Sequence, residues 1–477
     1  MVKYDNDICD DKMTFSDCEL AILREAVSQS EENQSRKVAN NGEIQQMIDI
    51  LEGFLKKKKL ICYGGTAINN ILPKNVQFYD RRVEVPDYDF YSSNAMIDAK
   101  ELADLFNDHG FEEIEAKAGV HFGTYKVFVN FVPIADITFL HPTIFKSISK
   151  EAIQIDGILY APPNFLRMNM YLELSRPEGD VSRWEKVHQR LLLLNKHYPF
   201  AVEENCSAIQ FQRPMGDRDD DKSADIYYKV RDVFINEGAV FFGGYAARLY
   251  SRYMSKGKKN IVKKIPDFDV LSEDPERCAN LVLARLADKS AKKVYHDAIG
   301  EILPERIEIR IGKETVAFIY RPIACHSYNV IKLEDKEIRV ATIDTMLSFY
   351  FAFYYSDEPS YAKDRVLCMS KFLFDVEHQN RLSQKGILKR FSLNCYGAQA
   401  TLDSIRKEKA DKFLELKNKR GTREYDEWFL KYSFSRRNKE RDKPITERSN
   451  HEKTRKRRPK INKARSRVST RSNEYLY

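Results

Sequence analysis

The chain contains one pattern twice. "LICYGGTAINNILPKNVQFYDRRVEVPDYDFYS", starting at Leu60, returns as "AVFFGGYAARLYSRYMSKGKKNIVKKIPDFDVLS", starting at Ala239. Gly64 maps onto Gly243 and Asp89 onto Asp269, at offsets of 179 and 180. Two further blocks follow in the same order: "FVNFVPIADITFL" is echoed by "VAFIYRPIACHSY", and "LYAPPNFLRMNMYLEL" by "RVATIDTMLSFYFAF". Stacked-repeat architectures have periods of about 20–50 residues, so a period near 180 is the duplication of a whole domain.

Each copy reads as an apolar run ending in a double glycine, a short helix, and a second apolar run carrying Asp-x-Asp, which predicts an α/β (α+β) protein with mixed sheets and flanking helices. Residues 1–54 form a helical segment, from the three- and four-residue spacing of Leu20, Leu23 and Val27 and of Ile44, Met47, Ile48 and Leu51. The first unit then occupies 55–210, a charged linker containing "RPMGDRDDDKSAD" spans 211–227, and the second unit occupies 228–400. Tyr425, Trp428, Phe429 and Tyr432 mark a closing helix within 401–434.

Residues 435–477 are too polar and charged to bury a core, so their composition predicts a basic, disordered tail. Between Arg436 and Arg471 sixteen Lys or Arg stand against four Asp or Glu, a net +12, whereas the whole chain carries +8. The basicity belongs to the tail, and the globular part is mildly acidic. Three readings of it stay open: an RNA-tracking arm, a localisation signal, or a solubilising extension.

Eight cysteines lie scattered with no CxxC pair, and no His stands at metal-finger spacing, so reduced thiols and no structural zinc are expected. No run of 18 apolar residues occurs and the first residues are acidic, so neither a membrane span nor a secretory leader is expected.

The chemistry concentrates in the first unit. In "VEVPDYDFY" strand alternation puts Asp87 and Asp89 on one face and Tyr88 and Phe90 on the other. Two adjacent carboxylates repel and are costly to desolvate, a conflict that a divalent cation resolves. Asp136, inside the apolar "FVPIADITFL", offers a third carboxylate if its strand neighbours the first. Three such oxygen donors suit Mg²⁺, which keeps open positions for phosphates. Upstream, Gly64 and Gly65 allow close backbone approach, the helix after them presents free N–H groups to an anion, and Thr66 adds a hydroxyl.

Gly-Gly-Thr, a hydrophobic-Asp-x-Asp strand and a later single Asp resemble the DNA polymerase beta-like nucleotidyltransferase superfamily. The longer blocks "YGGTAINNILP", "PDYDFYS" and "APPNFLRMNMYLELSRPEGDVSRWEKVHQRLLLLN" resemble the poly(A) polymerase catalytic subunits of large cytoplasmic DNA viruses, most closely the mimivirus-like type. The offset of 23 residues from Gly64 to Asp87 exceeds the gap common in the superfamily.

The resemblance implies two tandem nucleotidyltransferase-like domains, the first catalytic and the second degenerate. Asp87, Asp89 and Asp136 would hold Mg²⁺ or Mn²⁺, and Gly64, Gly65 and Thr66 the ATP triphosphate. The reaction implied is template-independent polyadenylation of mRNA 3′ ends, with AMP transferred to the RNA 3′-hydroxyl and pyrophosphate released by a two-metal mechanism. The implied partners are an RNA 3′ end and ATP, with no membrane, and either a homodimer or a viral processivity partner. The implied location is the host cytoplasm, in viral factories, and the virion. Alternatives are a uridylate- or oligoadenylate-forming enzyme, and a non-catalytic RNA-binding scaffold.

In the second copy Gly243, Gly244, Asp267 and Asp269 persist, whereas "PIA" in both copies aligns Cys325 with Asp136, and Tyr245 replaces Thr66. A thiol is a poor Mg²⁺ ligand, so inactivity is expected there unless Glu308 or Glu314 supplies the missing carboxylate. Arg183, Lys186 and Arg190 lie at helical spacing opposite leucines, open between a solvated stripe and a phosphate grip. Trp184 reads as packing.

Overall fold

The computed structural model describes residues 8–9, 13–39, 41–80, 86–200, 202, 206, 209, 211, 220–254, 267–333 and 335–433. The basic tail from 435 lies outside them. The described residues form two eight-stranded mixed sheets and fourteen α-helices, the α/β class read from the sequence. No helix among them is long and apolar enough to cross a membrane.

The first unit contributes β1 (Ile61–Cys62), β2 (Tyr88–Ser92), β3 (Ile114–Ala118), β4 (Thr124–Val129), β5 (Val132–Phe139), β6 (Ile153–Ile155) and β7 (Ile158–Tyr160), in the order β3-β4-β5-β2-β1-β7-β6. The second contributes β8 (Val240–Phe242), β9 (Phe268–Leu271), β10 (Ala291–His296), β11 (Arg306–Ile311), β12 (Glu314–Tyr320), β13 (His326–Leu333) and β14 (Lys336–Ala341), in the order β10-β11-β12-β9-β8-β14-β13. Order and sense coincide strand for strand: β2 runs parallel to β5 and β9 to β12, while β1 is antiparallel to β2 and β8 to β9. The duplication seen as text is a duplication of topology.

The structural repeat is longer than the textual one. Helix Gly42–Lys58 precedes β1 as helix Asp220–Asn236 precedes β8, each burying one apolar stripe: Ile44, Met47, Ile48, Leu51, Phe54 and Leu55 in the first, Tyr227, Val230 and Phe234 in the second. The expected boundary at 54 therefore cuts through a helix that belongs with the first sheet, and the expected linker 211–227 overlaps a helix from Asp220 onward. The first segment is helical as expected and only its boundary shifts, whereas the charge of the second marked a linker where the apolar spacing from Asp220 onward is helical. Asn41 caps the first helix, its side chain accepting from the Glu43 amide at 2.9 Å, and Lys56–Lys58 form the last turn.

A fifteenth strand, β15 (Cys395–Tyr396), extends the second sheet beyond β13. In place of one closing helix, the 401–434 segment forms helices Leu402–Leu416 and Arg423–Phe429 and β16 (Lys431–Ser433), which pairs with β3 at the edge of the first sheet. Trp428 packs on Phe122 with centroids 4.4 Å apart, and Lys100 pairs with Asp426 at 2.8 Å. The chain thus closes on its first unit.

The halves meet through equivalent elements. Cys62 is in register with Tyr160, and Phe241 with Val340, which makes helices Pro163–Leu174 and Ile343–Tyr355 counterparts at an offset of 180. These helices pack together, and Tyr171 lies over its own counterpart Phe351, 6.5 Å apart and 17° from parallel. That is the self-complementary contact of a two-fold dimer, made within one chain. Side chains of this size contribute about 1.5–3 kcal/mol each when fully buried, so the seam holds the units as one body.

The cysteines depart from expectation. Cys9–Cys18, Cys206–Cys368 and Cys325–Cys395 are joined as disulfides, and Cys62 and Cys278 are free and buried. Two of these pairs span 162 and 70 residues, so spacing in the sequence gave no sign of them.

Candidate active site

At the end of β1 the chain turns straight into helix Gly64–Ile71, which requires a positive φ of 70° at Gly64. A Cβ there would stand 2.8 Å from Asp89 Oδ2, so the glycine also makes room for the carboxylate. Gly243 repeats both features: its φ is 68°, and a Cβ would collide with Asp269 Oδ2. The Gly-Gly and Asp-x-Asp motifs are two sides of one close contact.

Strand β2 begins at Tyr88, with Asp87 just ahead of it after Pro86, and residues 83–85 of the expected strand lie outside the described residues. The expected alternation is visible: Tyr88 is buried against helix Gly42–Lys58, its hydroxyl donating to Glu52 at 2.5 Å. On the other face, parallel pairing sets Asp89 opposite Asp136 on β5, and Asp136 is opposite Lys126 on β4. Lys126 Nζ reaches Asp136 Oδ2 at 2.5 Å. Lys126, Asp136 and Asp89 therefore form a row across three strands, with Asp87 at its mouth.

Three carboxylates face one ammonium, and the excess charge shows in the titration of Asp87 and Asp89. Desolvation, then repulsion from Asp87 and Asp136, pushes Asp89 up to about 7 against the pull of Lys126 and Arg183. Asp87 is raised by desolvation and by Asp136, with Lys126 opposing. The donor set is all hard oxygen and short of positive charge, which fits a divalent cation such as Mg²⁺. The three carboxylates are not all within 4.8 Å of one another. Among the described residues the group that meets that spacing is Glu178, Cys325 and Cys395. Asp136 is turned to Lys126, so a cation would draw it away from the lysine.

Thr66 is corrected in its role. It is buried, and its hydroxyl donates to the Asp87 carbonyl oxygen at 2.7 Å, so it positions Asp87 and has no proton left for a phosphate. Its backbone N–H, with those of Gly64 and Gly65, belongs to the first turn of the helix, where amides have no intrahelical acceptor. Gly65 lies under Tyr79 and Arg190: a Cβ would be 2.7 Å from the Tyr79 hydroxyl and 3.0 Å from Arg190 Nη1. Arg190 donates to the Tyr79 hydroxyl at 2.6 Å and stacks on Phe78, 4.8 Å from the ring centroid. Asn69 Oδ1 holds this arch by accepting from the amides of Phe78 and Tyr79, both at 2.8 Å.

Of the three basic residues at helical spacing, Arg190 thus stands over the glycines and Arg183 pairs with Glu173 at 3.1 Å, and the neighbouring Trp184 packs near Phe391. A guanidinium beside a positive helix end is electrostatically unfavourable until an anion joins them. Lys126, Tyr63 and Tyr79 were not singled out in the sequence. The signal for Lys126 was present in the β4–β5 alternation, where a short hairpin sets it opposite Asp136. Tyr63 stacks on Tyr91 at 3.8 Å and shares a hydrogen bond with Thr138 at 3.0 Å, lining the row from β1.

The second unit shows what replaced these groups. Asp269 is in register with Phe318, not Cys325, which lies beyond the end of β12. The "PIA" match was a local coincidence of letters, and parallel pairing decides equivalence. The carboxylate has moved one strand over: Glu308, opposite Phe318, occupies the Lys126 position and is buried. It is engaged by Arg310 at 2.7 Å, by His296 at 2.8 Å and by the Thr315 hydroxyl. Burial opposes its charge, but these hydrogen bonds hold it below the usual carboxylate range. Tyr245 is buried against Phe241 and Phe268, where Thr66 holds Asp87 in the first unit.

Residues 49–180 match the model of a family described as poly(A) polymerase catalytic subunit. A protein named as a poly(A) polymerase catalytic subunit in African swine fever virus (strain Badajoz 1971 Vero-adapted) is 34% identical over 173 residues, 35% of this chain and 36% of the relative. One of that name in Acanthamoeba polyphaga mimivirus is 28% identical over 217 residues, 44% of this chain and 36% of the relative. The chain spans about a third of the length of these curated relatives. Its fold is that of the Megavirus polyadenylate synthase crystal structure, with a TM-score of 0.74, 20% identity, and coverage of 95% of this chain and 92% of that one. The resemblance read from the motifs is met at the level of both sequence and fold.

Proposed function

We propose that the chain adds adenylates to RNA 3′ ends without a template, transferring AMP from ATP and releasing pyrophosphate. The observation that carries this reading is the register of β2 against β5, which sets Asp89 opposite Asp136 at the same sheet end as the Gly64–Gly65 turn. The matching family and the named relatives support adenylate over another base.

The chain's own groups divide the work. The first amides of helix Gly64–Ile71 and Arg190 bind the triphosphate, and the Phe78–Tyr79 arch fixes the guanidinium so that little is reorganised when charge develops. Thr66 keeps Asp87 in place. Asp87, Asp89 and Asp136 would hold divalent ions, which supply charge neutralisation and a more acidic 3′-hydroxyl. Lys126 holds Asp136 beforehand and gives it up to a cation. Alignment of the 3′-hydroxyl with the α-phosphate supplies the rest, since positioning and electrostatics dominate transfers of this kind. We place the reaction in the host cytoplasm, by analogy with the viruses named.

The test is extension of a labelled oligo(A) RNA with each NTP in Mg²⁺, using the intact chain, Asp136→Ala and Asp267→Ala. ATP-selective extension lost in Asp136→Ala and kept in Asp267→Ala is expected. Extension surviving Asp136→Ala would move the site elsewhere, UTP-selective extension would change the base, and RNA binding without incorporation would make the chain a scaffold.

A further inference from the structure

A second cluster of ligating groups lies at the seam between the units. Cys325, Cys395 and Glu178 each bring one ligand atom within 4.8 Å of the others. They come from three elements: Cys325 between β12 and β13, Cys395 on β15, and Glu178 on the turn after helix Pro163–Leu174. We propose that, when the Cys325–Cys395 bond is reduced, the two thiolates and the Glu178 carboxylate form a Zn²⁺ site joining the first unit to the second.

The scaffold keeps the two sulfurs adjacent without relying on their bond. Cys395 is in register with Ser327 on β13, and the Ser327 amide donates to Ser175 O on the Glu178 turn at 2.8 Å. Gly397, with a φ of 99°, packs so tightly on the Ala324 carbonyl oxygen that no Cβ would fit. Glu273 accepts from the Gly397 amide at 3.2 Å, and its own amide donates to the Tyr396 hydroxyl at 3.2 Å. The thiols of the reduced protein therefore remain neighbours.

Two thiolates select a borderline-soft ion, and a carboxylate completes three of the four positions Zn²⁺ prefers. Cys325 is buried and Glu178 exposed, which leaves the fourth position to solvent. Reduction proceeds by exchange with a low-molecular-weight thiol: two RSH become RSSR, the Cys325–Cys395 S–S bond breaks, and two cysteine thiols form. Zn²⁺ then displaces their two protons to solvent. Exchange with a low-molecular-weight disulfide runs the step backwards: RSSR and two protons become two RSH, the Cys325–Cys395 bond re-forms, and Zn²⁺ and Glu178 are released.

The full chain is reduced with excess thiol, desalted without oxygen, and titrated with Co²⁺ as a spectroscopic probe and Zn²⁺ as its competitor. One equivalent of Co²⁺ showing thiolate charge-transfer absorption is expected, displaced by Zn²⁺ and absent from the oxidised protein. Cys395→Ser should abolish the absorption, Cys206→Ser should leave it, and Glu178→Gln should weaken Zn²⁺ retention while keeping the thiolate bands. No absorption in the reduced protein, absorption surviving Cys395→Ser, or unchanged Zn²⁺ retention in Glu178→Gln would each overturn the site. Glu178 is exposed, so its variant decides the matter even if Cys395→Ser does not fold.

Discussion

The two units share strand order, the double-glycine turn and the Asp-x-Asp pair, yet one is an open acidic face and the other a filled core. Opposite the second aspartate the first unit has Asp136 and the second Phe318. The first unit has Tyr63 before its glycines, and the second has Phe242, packed on Phe349 at 4.9 Å. Phe353 stacks on Tyr361 at 4.1 Å behind it. A fold can keep a site's backbone while its side chains convert the cleft into packing. The glycine survives in both units because it solves a backbone problem, whereas the third carboxylate survives only where charge is needed.

The largest contrast should come from the carboxylates. Asp136→Ala should lower the extension rate by about 10²–10³-fold or more, the scale for losing one group that stabilises developing charge. Asp267→Ala should leave the rate within error, and single-turnover kinetics would show a false assignment at once. Conversely, Arg390→Ala should act on the fold alone. Arg390 ties Asp344 at 2.5 Å and Glu377 at 2.6 Å inside the second unit, and breaking a buried pair costs about 3–5 kcal/mol. Denaturant melts should show that loss. If instead the rate fell with stability intact, the second unit would have a part in the chemistry.

Gly64→Ala tests the contact common to both units. The left-handed backbone alone costs about 1–2 kcal/mol, and the Cβ would press on Asp89. Stability should drop by that amount and activity by more. Gly243→Ala should cost stability without touching the rate of any enzyme that remains folded. The smallest effect is a pH slope. Burial and the neighbouring Asp344 push Glu377 up to about 7, against Arg390. A raised carboxyl favours the folded state below its unfolded value near 4.5, and that contribution is lost as pH rises to about 7. Glu377→Gln should flatten this fall in melts across that window, and an unchanged slope would assign it to other groups.

Much of the site was legible because it is local. Strand alternation placed Asp87 and Asp89 apart from Tyr88, and the double glycine marked a tight turn from strand into a short helix. Thr66 was misread because its hydroxyl is claimed by a backbone carbonyl 21 residues away, a partner no spacing reveals. Cys325 was matched to Asp136 by three letters, whereas hydrogen-bond register pairs strands regardless of the letters beside them.

By itself the sequence determined the duplication, the α/β class, the acidic trio and the glycine turn, since each rests on periodicity or on backbone freedom within a few residues. Tertiary structure alone decided that Arg190 overlooks the glycines, that Lys126 neutralises Asp136, that β16 returns to the first sheet, and that Tyr171 meets Phe351. Those contacts join residues distant in the chain, and their geometry is set by sheet register and helix packing.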